Sequence, residues 1–273
     1  MPELPEVETI ARDVRPDLVG RQILRVIVLK PDILRRTRRP EFVRRLEGTR
    51  VESVGRRAKH VVVTLDSGDR LVVQPGMTGS LTVVNGTAPP DAYATIVFTL
   101  DSGKRLLHRD VRRIGAVYLH APAAWAAYDR DLGPEPLERT FTPARLAEAL
   151  RNGRLAVKKA VMDQHRLAGV GNIYANEALW AAGIDPSREA RGITAAETRR
   201  LHGAIVRILR RAIANRGTTV RDYRTGTGER GGYQRRLAVY GRAGRTCRRC
   251  RWRIVLTHVI DARATYFCPG CQR

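Results

Sequence analysis

The sequence predicts an α+β protein of two domains: an N-terminal β-sandwich that carries a helix at its start, then a helical domain ending in a small cysteine-bearing module. Three observations lead there. Short β-type runs separated by turn signals fill the chain to about residue 120. Capped, periodic helical segments occupy residues 142–217. All four cysteines fall after residue 246.

The first element is "PEVETIARDV" (5–14), where Val7, Ile10, Ala11 and Val14 share one helical stripe. Pro5 suits a first helical turn, and early glutamates suit the positive end of the helix. The runs "QILRVIVL", "KHVVVTL", "RLVVQ", "SLTVV", "ATIVFTL", "RLLH" and "GAVYL" follow, punctuated by Asp66-Ser67-Gly68 and Asp101-Ser102-Gly103. Such short runs between turns predict a sandwich or barrel over 1–130. "LGPEPL" (132–137) predicts a linker over 131–142. Thr142 and Pro143 open a helix expected to stop at Gly153; "VKKAVMDQ" makes a second; Asn172 is expected to cap a third that stops at Gly183. Thr194 and Glu197 form a capping-box pattern for a long helix over 195–215. Residues 218–234 are polar and glycine-rich and read as a loose loop.

The formal charge is +23, from 50 Lys and Arg against 27 Asp and Glu. A field of that strength concentrates polyanions, so nucleic acid leads as partner and an anionic membrane surface competes. High arginine from a GC-rich genome is the plainer account. No apolar run reaches the roughly 18 residues of a spanning helix, and no signal-peptide pattern opens the chain. The expectation is a cytoplasmic protein with no membrane association. Between 235 and 273 there are ten Arg and one acidic residue, Asp261, which suits a phosphate-binding surface.

Cys247, Cys250, Cys268 and Cys271 form two C-x-x-C pairs with seventeen residues between them. That spacing predicts a zinc ribbon over 237–273, with one Zn2+ held by four thiolates. Four protein ligands leave no open position, so the ion is expected to be structural. In "LAGVGNIYANEAL" (167–179), two glycines and a helix start offer N–H groups to a phosphate, or form a turn with no ligand.

Seven stretches, "MPELPEVET", "RRAKHVVV", "GMTGSL", "LGPEPL", "MDQHRLAGVGNIYANE", "VYGRAGRTCRRC" and "RATYFCPGCQR", together resemble the formamidopyrimidine-DNA glycosylases and span the chain. The resemblance implies a β-sandwich, a helix–two-turn–helix domain (143–234, with a lesion-recognition loop at 218–234) and a zinc finger. It implies a monomer on double-stranded damaged DNA that excises oxidised purines and then nicks the strand. An endonuclease VIII-like preference for oxidised pyrimidines, or a non-catalytic clamp on damaged DNA, is the alternative.

The resemblance assigns Pro2 as nucleophile once Met1 is removed. An α-amino group has a pKa near 8 against about 10.4 for Lys, so it is far more often neutral and nucleophilic at pH 7. Glu3 is the implied proton shuttle, with Glu6 and Lys158 nearby. Lys59 and Arg263 are expected on the backbone and flanking phosphates, together with Asn172 and Tyr240. Met77, Arg112 and Ile114 are expected to fill the void left by the extruded nucleotide. Ile114 stands where the family usually has an aromatic, and Gln74 where it commonly has His; Ile is an apolar wedge that cannot stack.

Overall fold

The computed structural model describes residues 1–273 except 87, 88, 152, 153, 221 and 261. The expected helix stop at Gly153 and the lone acid Asp261 therefore lie outside the described residues. The chain divides into two compact units, 1–130 with 215–232, and 131–214 with 233–273.

The first unit is a helix-bearing sandwich. Helix α1 (Leu4–Leu18) buries Val7, Ile10, Ala11, Val14 and Leu18, the predicted stripe extended by one turn. Eight strands follow: β1 (Ile23–Val28), β2 (Val51–Arg57), β3 (His60–Leu65), β4 (Arg70–Gln74), β5 (Gly79–Asn85), β6 (Ala94–Leu100), β7 (Lys104–Asp110) and β8 (Ala116–His120). They pair as two antiparallel sheets, β1-β6-β7-β5 and β2-β3-β4-β8. Val61, Val63, Leu71 and Val73 of one sheet share a core with Ile96, Phe98 and Leu106 of the other. Two helices that the sequence reading lacked, α2 (Arg39–Leu46) and α3 (Pro122–Arg130), complete the unit. Helix α2 buries only Phe42 and Leu46, one turn apart among basic residues, with Val43 half-buried against the same core; α3 buries no residue at all. Neither gives a periodic signal.

The segment expected as part of the helical domain behaves differently. Described residues of 215–232 pack on α1. Arg216 Nη2 donates to Asp13 Oδ2 at 2.9 Å, and the Tyr223 hydroxyl donates to the Glu6 carbonyl at 3.2 Å. Nor do its described residues lack internal bonds: Gly231 N–H donates to Thr219 Oγ1 at 2.8 Å, and Thr225 N–H to Glu229 O at 3.0 Å.

The second unit holds α4 (Pro143–Arg151), α5 (Val157–Met162), α6 (Asn172–Ala182), α7 (Ala195–Ala214) and the hairpin β9 (Val255–Thr257)–β10 (Thr265–Phe267). The predicted linker belongs to its packing, because Gly133 N–H donates to Gln164 O at 2.8 Å and Ala168 N–H to Pro134 O at 3.1 Å. Gln164 also stitches the turn between α5 and α6. Its side chain donates to Met162 O and Val170 O and accepts from Gly169 N–H. Gly183 ends α6 in a left-handed conformation, and Thr194 and Glu197 make the reciprocal capping box of α7. The residue at the N-cap of α6 is Gly171 rather than the expected Asn172, whose side chain is committed elsewhere.

Candidate active site and metal centre

In the first unit Met1 is exposed and the residues that follow it are buried. Pro2, Glu3 and Glu6 are all inaccessible, although two are acids. Glu6 accounts for its own burial. One carboxylate oxygen accepts from the Glu3 N–H at 2.8 Å and the other from the Thr218 N–H at 2.7 Å. Its acidic charge also lies in the first turn of α1, where the helix dipole favours it. The approach is so close that a Cβ on Gly217 would sit 2.8 Å from Glu6 Oε1, and Gly217 has φ +79. Only glycine suits both demands. Tyr223, above Glu6, also donates to the Arg216 carbonyl at 3.2 Å. Burial, then the Glu6 charge, raises its pKa, so it stays a donor.

Lys59 reaches the same region from the tight β2–β3 hairpin, where Arg57 pairs with His60 and Ala58 takes the left-handed conformation at φ +50. It is buried, and it belongs to the turn rather than to the strand that the sequence suggested. The α-amino group of Met1 feels all of this. Burial pulls its pKa below the usual value; Glu3 and Glu6 oppose, and Lys59 and Arg112 pull the same way as burial. The amine beside these residues is therefore neutral more often than a solvated one. Met77 and Ile114 are exposed, at 39% and 53%. Arg112 is also exposed, with Nη2 3.7 Å from Asp222 Oδ2.

In the second unit the surprise is Lys158. It is completely buried, and its ammonium donates to Thr265 Oγ1 at 2.8 Å and to the carbonyls of Arg263 and Ala264 at 3.4 Å. Asn172 Nδ2 donates to Ala264 O at 3.0 Å, and Asn176 Oδ1 accepts from Tyr266 N–H at 2.7 Å. Helix α6 and Lys158 thus grip the backbone of 263–266 and leave the Arg263 side chain exposed. Tyr240 is fixed in a similar way. The buried Glu177 accepts from the N–H groups of Ala238, Val239 and Tyr240 at 2.8–2.9 Å, and the Tyr240 ring lies 5.0 Å from Tyr266. Burial pushes the Glu177 pKa up, while those three N–H bonds pull against it.

Glu177, Asn176 and Tyr223 were absent from the sequence reading. Two polar residues and an acid inside the apolar helix "NIYANEALWAA" are the signal that could have found the first two.

The four cysteines converge, with all Sγ atoms within 4.8 Å of one another. Cys247 and Cys271 sulfurs are 3.8 Å apart, and those of Cys250 and Cys268 are 3.3 Å apart. Four thiolates about 2.3 Å from one tetrahedral ion would be about 3.8 Å from each other, so the donor set fits a metal. Val239, Ile254 and Trp180 pack around it.

A helix-started sandwich with the chain-start amine beside carboxylates, a helical unit that leaves an arginine exposed on a gripped backbone and holds a four-cysteine cluster, and a formal charge of +23 suit a protein that handles a polyanionic substrate. The comparisons with known proteins specify it. Residues 1–117 match the formamidopyrimidine-DNA glycosylase N-terminal domain, and residues 132–224 match the formamidopyrimidine-DNA glycosylase H2TH domain. A formamidopyrimidine-DNA glycosylase of Chloroflexus aggregans is 44% identical over 100% of this chain and 98% of its own. Among solved structures, a Lactococcus lactis Fpg variant in complex with Fapy-dG-containing DNA superposes with TM-score 0.92 at 31% identity, covering 100% of both chains. The wild-type Lactococcus lactis protein in complex with oxidised-pyrimidine DNA superposes at 0.91 and 30% identity, again over both whole chains. The chain belongs to the formamidopyrimidine-DNA glycosylase family.

Proposed function

We propose that this member of a DNA glycosylase family excises oxidised purines, 8-oxoguanine and formamidopyrimidines, and then nicks the strand as a lyase. The observation that carries this reading is the arrangement at the chain start, where Pro2, Glu3 and Glu6 are buried and the amine of Met1, its pKa lowered chiefly by burial, lies among Glu3, Glu6, Lys59 and Arg112. Loss of Met1 would leave Pro2 as a secondary amine in that setting. Its lone pair attacks C1′ of the extruded nucleotide, and the glycosidic bond breaks with its electrons leaving on the base. The proton of the attacking amine passes to the departing base, and Glu3 protonates the sugar ring oxygen as the ring opens, which leaves a cationic iminium at C1′. The iminium draws electrons from C2′. Glu3, again a carboxylate, takes the C2′ proton, and the 3′ phosphate departs; a second elimination releases the 5′ phosphate. Glu6 holds the Glu3 amide and the segment at Thr218, so it orders the centre without touching the sugar.

Lys59 approaches the lesion strand, while Arg263, Asn172 and Tyr240 hold flanking phosphates. Lys158 and Glu177 act beneath those grips. A zinc ion on Cys247, Cys250, Cys268 and Cys271 would supply a closed tetrahedral cross-link that fixes the fold around Arg263. We read the protein as a cytoplasmic monomer. Among the described residues no helix is long and apolar enough to cross a membrane.

Intact-mass measurement is expected to show Met1 removed, and borohydride with 8-oxoguanine duplex is expected to trap a covalent adduct. Pro2→Gly should slow base release and nicking together while binding persists. Full activity from a chain whose terminus is blocked would overturn the mechanism. Because a solved relative is held with an oxidised pyrimidine, the substrate panel should include such lesions. Faster release of those than of 8-oxoguanine would reverse the purine assignment.

A further inference from the structure

Met77 stands on one loop, and Arg112 and Ile114 stand on another. Residues 75–78 carry the chain from β4 to β5, and residues 111–115 from β7 to β8, so each loop crosses from one sheet to the other. Their ends are paired: Gly79 faces Asp110 on the β5–β7 ladder, and Gln74 faces Ala116 on β4–β8. The two crossings therefore run side by side.

One buried side chain joins them. Asp110 is 1% exposed. Its Oδ1 accepts from Thr78 Oγ1 at 2.5 Å, and its Oδ2 from Gly115 N–H at 2.8 Å. Thr78 Oγ1 in turn accepts from the Arg112 N–H at 3.0 Å. The bonds run from one loop through Asp110 and Thr78 into the residues that display Arg112 and Ile114. The backbones also touch, since a Cβ on Gly115 would meet Gln74 O at 2.7 Å and Asp110 Oδ2 at 3.0 Å.

We propose that Asp110 and Thr78 are positioning residues that lock the two loops into one rigid wedge, so that Met77, Arg112 and Ile114 enter the void of an extruded nucleotide together. The inference rests on the proposed reading that these three residues fill that void. Asp110 touches no substrate; it acts through the loops. Exposed side chains on separately mobile loops would each have to be ordered during extrusion, and a bracket fixes them beforehand. The bracket matters most here because Ile114 cannot stack on a base and works by position alone.

The test compares Thr78→Val, which keeps the shape and deletes both bonds of the hydroxyl, with Thr78→Ser, which restores them. Asp110→Asn is the second variant; it keeps an acceptor for Gly115 but offers Thr78 a donor. Stopped-flow 2-aminopurine fluorescence beside an 8-oxoguanine reads extrusion. Single-turnover excision, nicking at a preformed abasic site and thermal melting are read alongside. Thr78→Val is expected to slow extrusion and excision about tenfold and to lower the melting temperature modestly, since buried Asp110 loses a donor, with abasic nicking nearly unchanged, because an abasic site has no base to displace. Thr78→Ser should recover the wild-type rates, and Asp110→Asn should fall between. Equal losses on lesion and abasic duplexes, an unchanged extrusion step, or a Ser variant as slow as the Val variant would each overturn the proposal. If the wild-type chain neither excises nor nicks, the enzymatic reading fails. The 2-aminopurine signal on the 8-oxoguanine duplex, which reads extrusion without any cleavage, then still decides whether the wedge depends on Thr78.

Discussion

In the first unit a buried anion gathers amide N–H groups; in the second a buried cation gathers carbonyl and hydroxyl oxygens. Glu6 ties together the Glu3 and Thr218 amides, and Lys158 ties together the 263 and 264 carbonyls and Thr265. Each pins a piece of backbone that carries a functional side chain. The means differ because the backbone groups on offer differ. A helix start presents unpaired N–H groups, which call for a carboxylate. The loop leading into β10 presents carbonyls, which call for an ammonium. Neither charged residue needs to meet a substrate in order to matter. The units also differ in the burial of their histidines. His60, His108 and His120 of the first unit are buried, whereas His165, His202 and His258 of the second are not.

That last contrast gives the largest expected effect. Burial holds the pKa of both His60 and His108 at about 4 against an ordinary 6.5. Among the described residues no group bonds His108 Nε2, while its Nδ1 lies 2.5 Å from Thr95 Oγ1. Above pH 6.5 both rings are neutral in the folded and unfolded chain, and stability is unaffected. Below it the unfolded chain takes up protons that the folded one refuses, so stability falls until pH reaches about 4. Each ring contributes a loss of about 3 kcal/mol across that window. Hydrogen exchange followed from pH 7 to 4 should show the sandwich strands losing protection before α6 and α7 do. Equal loss in both units would break the contrast.

A medium effect should come from Lys158→Met, which keeps the length and removes the ammonium. Three oxygen acceptors lose their buried donor, at a cost of about 1–3 kcal/mol in stability. The informative readout is affinity for a tetrahydrofuran duplex as a function of salt. If Lys158 only positions Arg263, binding weakens but the salt slope changes less than in Arg263→Gln, which removes a phosphate contact outright. A slope loss equal to that of Arg263→Gln would mean that Lys158 itself meets phosphate.

The same contrast explains what was legible in the sequence. Strands β4 and β6 match their predicted runs residue for residue, since turn signals bound them and valine and isoleucine fill them. Helices α1 and α7 were readable from a buried stripe. The cysteine cluster was readable because spacing alone brings four thiols together. Strand β2, "VESVGRR", was hidden by its polar residues, and β9 and β10 are only three residues each. The residues beneath the site were hidden for a different reason. Tyr223 finds Glu6 across 217 positions, and Lys158 finds Thr265 across 107. A lysine, a glutamate or a tyrosine has no local pattern that reports such a partner. The loop at 218–234 looked loose by composition because its described order comes from contacts with α1 and from turn bonds such as Gly231 to Thr219, neither of which leaves a local pattern.

The smallest effect, and the sharpest, belongs to Glu6→Gln. The amide has the shape of the carboxylate but only one accepting oxygen, so one of the two N–H groups at Glu3 and Thr218 must lose its bond. Stability should drop by about 1–2 kcal/mol, the cost of one buried donor left unpaired. Removing the Glu6 charge also removes one influence that raises the pKa of the neighbouring amine. The amine should then be neutral to a lower pH, and the acid limb of the single-turnover rate profile should move down. A purely structural Glu6 would lower the rate at every pH without moving that limb. Thus the anion of the first unit is expected to act on chemistry through charge as well as through bonds, whereas the cation of the second acts through bonds alone.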